Sequence, residues 1–167
     1  GRTVLLYDAV PGAVDRALAT INKSLSKLVE KEKIPASVGQ SAKQNLKPGS
    51  LADMARVDLA IEAVFESVEV KRELYAELAK TVPADVIFAS NTSSISISQL
   101  GALSGRPEQF IGMHFFNPVP MMKLVEVVVG LRTAEPVVAA ITELAKELDK
   151  TPLRVKGSEC EFPFWEI

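Results

Sequence analysis

Residues 57–94 read VDLAIEAVFESVEVKRELYAELAKTVPADVIFASNTSS. The apolar run Val57–Val64 predicts a strand, although its alanines and Glu62 are weak strand formers. From Val68 to Lys80 the pattern changes to helical spacing. Leu74 and Leu78 fall on one side, and Glu73 and Glu77 lie four residues apart on the other. Asp85–Ala89 predicts a second short strand, and Ser90-Asn91-Thr92-Ser93-Ser94 is a dense polar turn. Two strands joined by a helix of this length make a crossover unit, the connection that parallel strands require.

The same alternation extends in both directions. Upstream, Thr3–Tyr7 predicts a buried strand closed by Asp8, and Val10-Pro11-Gly12 breaks the chain. From Ala13 to about Lys33, apolar residues recur at Val14, Leu18, Ile21, Leu25, Leu28 and Val29, which predicts a long amphipathic helix. The polar stretch from Pro35 to Pro48 reads as a further helix or a loop. Downstream, a helix of one or two turns is expected near Gln99. Strands follow at Phe110–Phe116 and Leu124–Val129, then a helix at Pro136–Leu148 and a last strand at Pro152–Val155. The whole predicts an α/β fold with a mainly parallel sheet and flanking helices.

The chain has 167 residues, 47% hydrophobic and 24% charged, with a formal net charge of −2. That suits an ordinary globular domain and supplies no basic excess for nucleic acid. No apolar run approaches the ~20 residues that span a bilayer, so no membrane partner is expected. Cys160 is the only cysteine, so no internal disulfide is expected, and a reducing, cytoplasmic setting fits. One histidine and one cysteine in distant segments imply no metal site.

Ligands of such sheets sit beyond the carboxyl ends of the strands. Asp8 lies at one such end, where a carboxylate accepts from both ribose hydroxyls of an adenosine and would favour NAD over NADP; the alternative is a turn cap. His114 is the only histidine and falls near the end of an aromatic-rich strand. Imidazole suits proton transfer near neutrality. Glu126 sits within Leu124-Val125-Glu126-Val127-Val128-Val129, where a carboxylate must be paired or exposed. It reads either as an outward edge residue or as a partner that orients His114. Twelve residues separate the two, enough for a strand, a Pro-bounded turn and a return. Asn91, Thr92, Ser93 and Ser94 read either as groups that bind a substrate oxygen or as a capped turn opening a helix.

Two stretches carry a resemblance. Residues 88–94, FASNTSS, and residues 112–127, GMHFFNPVPMMKLVEV, resemble the substrate turn and the catalytic stretch of the 3-hydroxyacyl-CoA dehydrogenase family, which includes 3-hydroxybutyryl-CoA dehydrogenases. The spacings from Ser93 to His114 and from His114 to Glu126 match as well. The resemblance covers about residues 1–156 and implies a Rossmann-like, NAD-binding domain. It implies that Asp8 binds the adenosine ribose, and that Glu66 and Lys71 lie near the nicotinamide half. Ser93 would hydrogen-bond the substrate's 3-oxygen, and Asn117 would help place nicotinamide and substrate. His114 would be the general base and Glu126 its orienter. Ser24 and Lys31 match positions that contact coenzyme A, although Lys31 also reads as a solvated helix face. The implied substrate is an acyl-CoA, and the family's full-length members are expected to be homodimers.

Two departures accompany it. A dinucleotide fold carries a G-x-G-x-x-G turn ~20 residues before the acid, and only seven residues precede Asp8. The expected fold therefore lacks its first strand and Gly-rich turn, with a gap between the strand at Thr3–Tyr7 and the one at Val57. The family's helical C-terminal domain is also expected to be absent, with residues 157–167, GSECEFPFWEI, as an atypical tail. Two other readings accompany the first: a lambda-crystallin-like sugar-acid dehydrogenase, against which the catalytic stretch speaks, and a vestigial relative that keeps the fold without catalysis. The chain by itself is expected to bind NAD weakly, which titration calorimetry checks; micromolar affinity would contradict it.

Overall fold

The computed structural model describes residues 2–157, so expectations for residues 158–167, Cys160 among them, lie outside the described residues. The chain divides into two compact units, Gly1–Ala55 and the part from Arg56 onward. The sequence pattern drew them as one domain over residues 1–156.

In the first unit, β1 (Val4–Leu6) leads through Gly12, at φ 73°, into α1 (Ala13–Glu30). Helix α2 (Ala36–Asn45) follows, then β2 (Leu46–Pro48), which pairs parallel to β1. The stretch read as helix or loop is thus a helix plus a short strand. Leu46-Lys47-Pro48 has no strand pattern of its own, and its state comes from pairing with Val4-Leu5-Leu6. At Gly39 the two helices come close: an added Cβ would lie 2.6 Å from Val29 Cγ2.

The second unit holds a five-stranded sheet in the order β3-β4-β5-β6-β7. Strand β3 (Leu59–Glu62), β4 (Ile87–Ser90) and β5 (Phe110–Phe115) are parallel. Strand β6 (Leu124–Val129) returns antiparallel to β5, and β7 (Thr151–Lys156) lies parallel to β6. The mainly parallel α/β fold expected from the sequence is present, and β1 pairs with β2 rather than with β3. Strand β3 starts two residues later than the apolar run, after a 3-10 turn at Leu51–Arg56.

Helices cover both faces of this sheet. On one face Ala89, Ile111, Met113, Val125 and Val127, all fully buried, meet Val137, Val138, Ile141 and Ala145 of α5 (Glu135–Glu147). The other face carries the alternate residues Phe88, Ser90, Phe110 and Gly112. Tyr75 of α3 (Val68–Thr81) stacks on Phe88 at 5.6 Å and meets Phe110 edge-on at 5.0 Å. Helix α4 (Ile97–Leu103) lies against this face near Gly112. Ser67 and Ser96 cap α3 and α4 by accepting the N–H groups of Val70 and Gln99. The C-terminus of α3 is closed by Arg106, whose guanidinium lies over the Phe88 ring and donates to the carbonyls of Ala79, Val82 and Pro83.

Gly112 tests this layering. A Cβ there would lie 2.7 Å from Val128 Cβ and 3.0 Å from Ile97. Gly112→Ala is expected to destabilise the chain by about 1–3 kcal/mol, seen as a lower midpoint in thermal unfolding. An unchanged midpoint would mean that α4 sits farther from the sheet.

Candidate active site

Residues facing one side of a strand recur every second position, so Phe110, Gly112 and His114 share a face of β5. Helices α3 and α4 cover the first two, and His114, nearer the carboxyl end, is half-buried. The β5–β6 register sets His114 directly opposite Glu126. Their side chains meet, with His114 Nδ1 2.8 Å from Glu126 Oε2. The His114 ring also rests on Phe116, with ring centres 4.7 Å apart. Among the described residues, Nε2 has no hydrogen-bond partner. A carboxylate on Nδ1 favours the tautomer that carries its proton there and leaves the Nε2 lone pair free.

The carboxyl ends of β3 and β4 hold a second constellation. Glu62, the last residue of β3, has its side chain 2% exposed and accepts four hydrogen bonds. They come from Lys71 Nζ at 2.6 Å, Ser90 Oγ at 2.7 Å, Tyr75 Oη at 2.8 Å and the Val64 N–H at 2.7 Å. Burial and the charge of Glu62 push the Tyr75 phenol far above its ordinary range, so it stays a donor. Lys71 is 1% exposed, and its ammonium bridges Glu62 and Glu66, at 3.2 Å from the latter. Lys71 thus reaches Glu66 from the buried side.

Glu66 in turn holds the polar turn after β4. Its carboxylate accepts from the Ser93 N–H at 3.1 Å, the Ser94 N–H at 3.2 Å, Ser94 Oγ at 3.0 Å and the Thr92 hydroxyl. Burial opposes ionisation of Glu66, but hydrogen bonds from Thr92, Lys71 and Ser94 and the Lys71 charge outweigh it, and its carboxyl titrates at about 2. The turn therefore presents an exposed Ser93 whose backbone is fixed. Among the described residues the Ser93 hydroxyl has no partner.

Asn117 is exposed at the start of the loop from β5 to β6. Lys150 Nζ ties that loop down through the carbonyls of Val119, at 2.5 Å, and Met122, at 2.8 Å. Within the first unit, Asp8 is exposed beyond β1 and accepts the Val10 N–H at 2.8 Å, so the turn-cap alternative describes one of its oxygens. Ser24 lies on the exposed face of α1 and donates to the Thr20 carbonyl at 3.0 Å. Lys31 is exposed at the C-cap of α1. Thr92 is among the polar-turn residues singled out by the sequence, whereas Glu62, Tyr75, Ser90 and Lys150, which hold these groups in place, are not. A glutamate inside a strand was the one available signal, at Glu62 as at Glu126. Among the described residues, no group of three His, Cys, Asp or Glu could hold a metal ion, and no helix is long and apolar enough to cross a membrane.

Residues 1–158 match the family model described as "3-hydroxyacyl-CoA dehydrogenase, NAD binding domain". The chain belongs to this family. A probable 3-hydroxybutyryl-CoA dehydrogenase of Deinococcus radiodurans is 43% identical over 153 residues, covering 92% of this chain and 55% of that protein. A 3-hydroxybutyryl-CoA dehydrogenase of Clostridioides difficile is 39% identical over 159 residues, covering 95% of this chain and 57% of that protein. Among solved structures, the 3-hydroxybutyryl-CoA dehydrogenase of Escherichia coli K12 superposes with a TM-score of 0.91 at 42% identity, covering 94% of this chain and 34% of that one. The chain thus spans about half the length of the curated 3-hydroxybutyryl-CoA dehydrogenases it matches.

The Glu66 clasp has a pH signature. A carboxyl that titrates at about 2 when folded, against an ordinary 4.5, stabilises the fold fully above 4.5. It loses that contribution as pH falls from 4.5 toward 2. Glu66→Gln is therefore expected to flatten the pH dependence of urea unfolding in that window and nowhere above it. A wild-type slope in the variant would show that the clasp does not form.

Proposed function

We propose that the protein to which this chain belongs oxidises (S)-3-hydroxyacyl-CoA to 3-oxoacyl-CoA with NAD, on substrates of the 3-hydroxybutyryl-CoA type. The observation that carries the reading is the His114–Glu126 hydrogen bond at the carboxyl edge of the sheet, with Nε2 left free.

The exposed polar groups suit the cofactor. Asp8 keeps one carboxylate oxygen beyond its bond to Val10, an acceptor for a ribose hydroxyl and a repellent for a ribose phosphate. It would hold the adenosine half. Glu66 and the Asn117 carboxamide would face the nicotinamide half, with Lys71 acting through Glu66. When bound, NAD accepts the hydride lost from C3 of the substrate.

The chain's own residues handle the proton. Neutral His114 takes the 3-hydroxyl proton on Nε2. Its Nδ1–H points at the Glu126 carboxylate, which fixes the ring plane and balances the imidazolium charge. The Ser93 hydroxyl hydrogen-bonds the 3-oxygen, and its backbone cannot drift because Glu66 holds the Ser93 and Ser94 N–H groups. In the reductive direction His114 returns the proton to the same oxygen. Ser24 and Lys31 offer a hydroxyl and a cation to the coenzyme A portion.

The test is oxidation of NADH by acetoacetyl-CoA, followed by absorbance, in the chain and in His114→Ala. Loss of a general base is expected to lower kcat by about 10²–10⁴-fold. Equal rates in the two proteins would count against the reading.

A further inference from the structure

The rungs between β4 and β5 run from Phe88–Phe110 to Ser90–Gly112 and stop there. The two groups assigned to chemistry lie beyond the last rung, Ser93 after β4 and His114 after Gly112. Each is held from its own side, Ser93 by Glu66 and His114 by Glu126. One side chain joins the two strand ends. The Asn91 carboxamide oxygen accepts the Phe115 N–H at 2.8 Å, while the Asn91 backbone N–H donates to the Glu62 carbonyl at 2.8 Å. The carboxamide thus supplies the rung that the strand backbone does not, directly after His114 and directly before the turn that Glu66 clasps.

We propose that Asn91 is a positioning residue that fixes the spacing between the Ser93 turn and the His114 imidazole. The proposal rests on the roles given above to Ser93 and His114. The requirement is geometric. The partner of Phe115 N–H must be an acceptor short enough to reach it from a residue whose own backbone belongs to the β3–β4 edge. An asparagine meets this without adding a charge beside the His114–Glu126 pair. Phe115 sits between His114 and Phe116, on which the imidazole rests, so slack at its amide passes to the ring from both sides.

The test needs no turnover, because His114 is the only histidine and its ring signals are read without assignment. In Asn91→Ala, amide exchange at Phe115 is expected to be about 10-fold faster. The His114 ring signals are expected to broaden, with the amides of Met113 and Val127 unchanged. Asn91→Asp keeps an oxygen acceptor of the same reach and is expected to restore slow exchange at Phe115. Should Asn91→Ala fail to fold, Asn91→Ser, whose hydroxyl is shorter, is read in the same way. A folded variant with wild-type Phe115 exchange and His114 lineshape overturns the proposal, even if it has lost activity. Equal turnover in the wild-type chain and in His114→Ala, with the expected signals present, would instead overturn the functional reading and leave the positioning role intact.

Discussion

The register of β5 against β6 is the constraint on which the rest of the site depends. Pairing Gly112 with Val128, Met113 with Val127 and His114 with Glu126 sends alternate residues to opposite faces. Met113, Val125 and Val127 enter the core under α5, while Gly112 and Val128 face α4. His114 and Glu126 meet beyond the helical cover. A slip of β5 by one residue would drive the imidazole toward the α5 core, away from Glu126, and turn Met113 out, so the apolar packing enforces the polar pair. The strands need not be long, because fully buried valines and methionine on one face fix them.

The second constraint is electrostatic. Glu62 and Lys71 are both almost completely removed from water, which is tolerable only because their hydrogen-bonding capacity is filled. Lys71, Tyr75, Ser90 and the Val64 N–H together satisfy Glu62, and Lys71 reaches on to Glu66. This chain of contacts runs from a buried strand end to an exposed turn. The exposed Ser93 therefore rests on a buried ion pair rather than on a mobile loop. Two loops of the kind that usually vary in conformation, those after β3 and β4, are bound to each other through one carboxylate.

Much of this could be read in the sequence where periodicity carries the information. The Leu124–Val129 strand and the helices near residues 68–80 and 136–148 follow from apolar spacing alone, because each buries one face against a single layer. The short strand Leu46–Pro48 could not be read. Three residues including a proline have no period, and their extended form depends on a partner more than forty positions away. The His114–Glu126 contact was accessible because its twelve-residue spacing suits an antiparallel return. The contacts of Lys71 were not accessible, since the helical spacing of residues 68–80 carries no sign that its ammonium meets both Glu62 and Glu66. Asn91 could be read as part of the polar turn, but its bond to Phe115 could not, because that partner lies twenty-four positions along the chain.

The tautomer of His114 tests the central geometry most directly. The chain has a single histidine, so long-range proton–nitrogen correlation of the neutral imidazole gives one pattern. A hydrogen bond from Nδ1 to Glu126 that leaves Nε2 as the base requires the proton on Nδ1, and Glu126→Ala should then shift the ring toward the commoner Nε2-protonated form. A wild-type ring already protonated at Nε2, and unchanged by Glu126→Ala, would contradict both the pairing and the assignment of His114 as the proton acceptor.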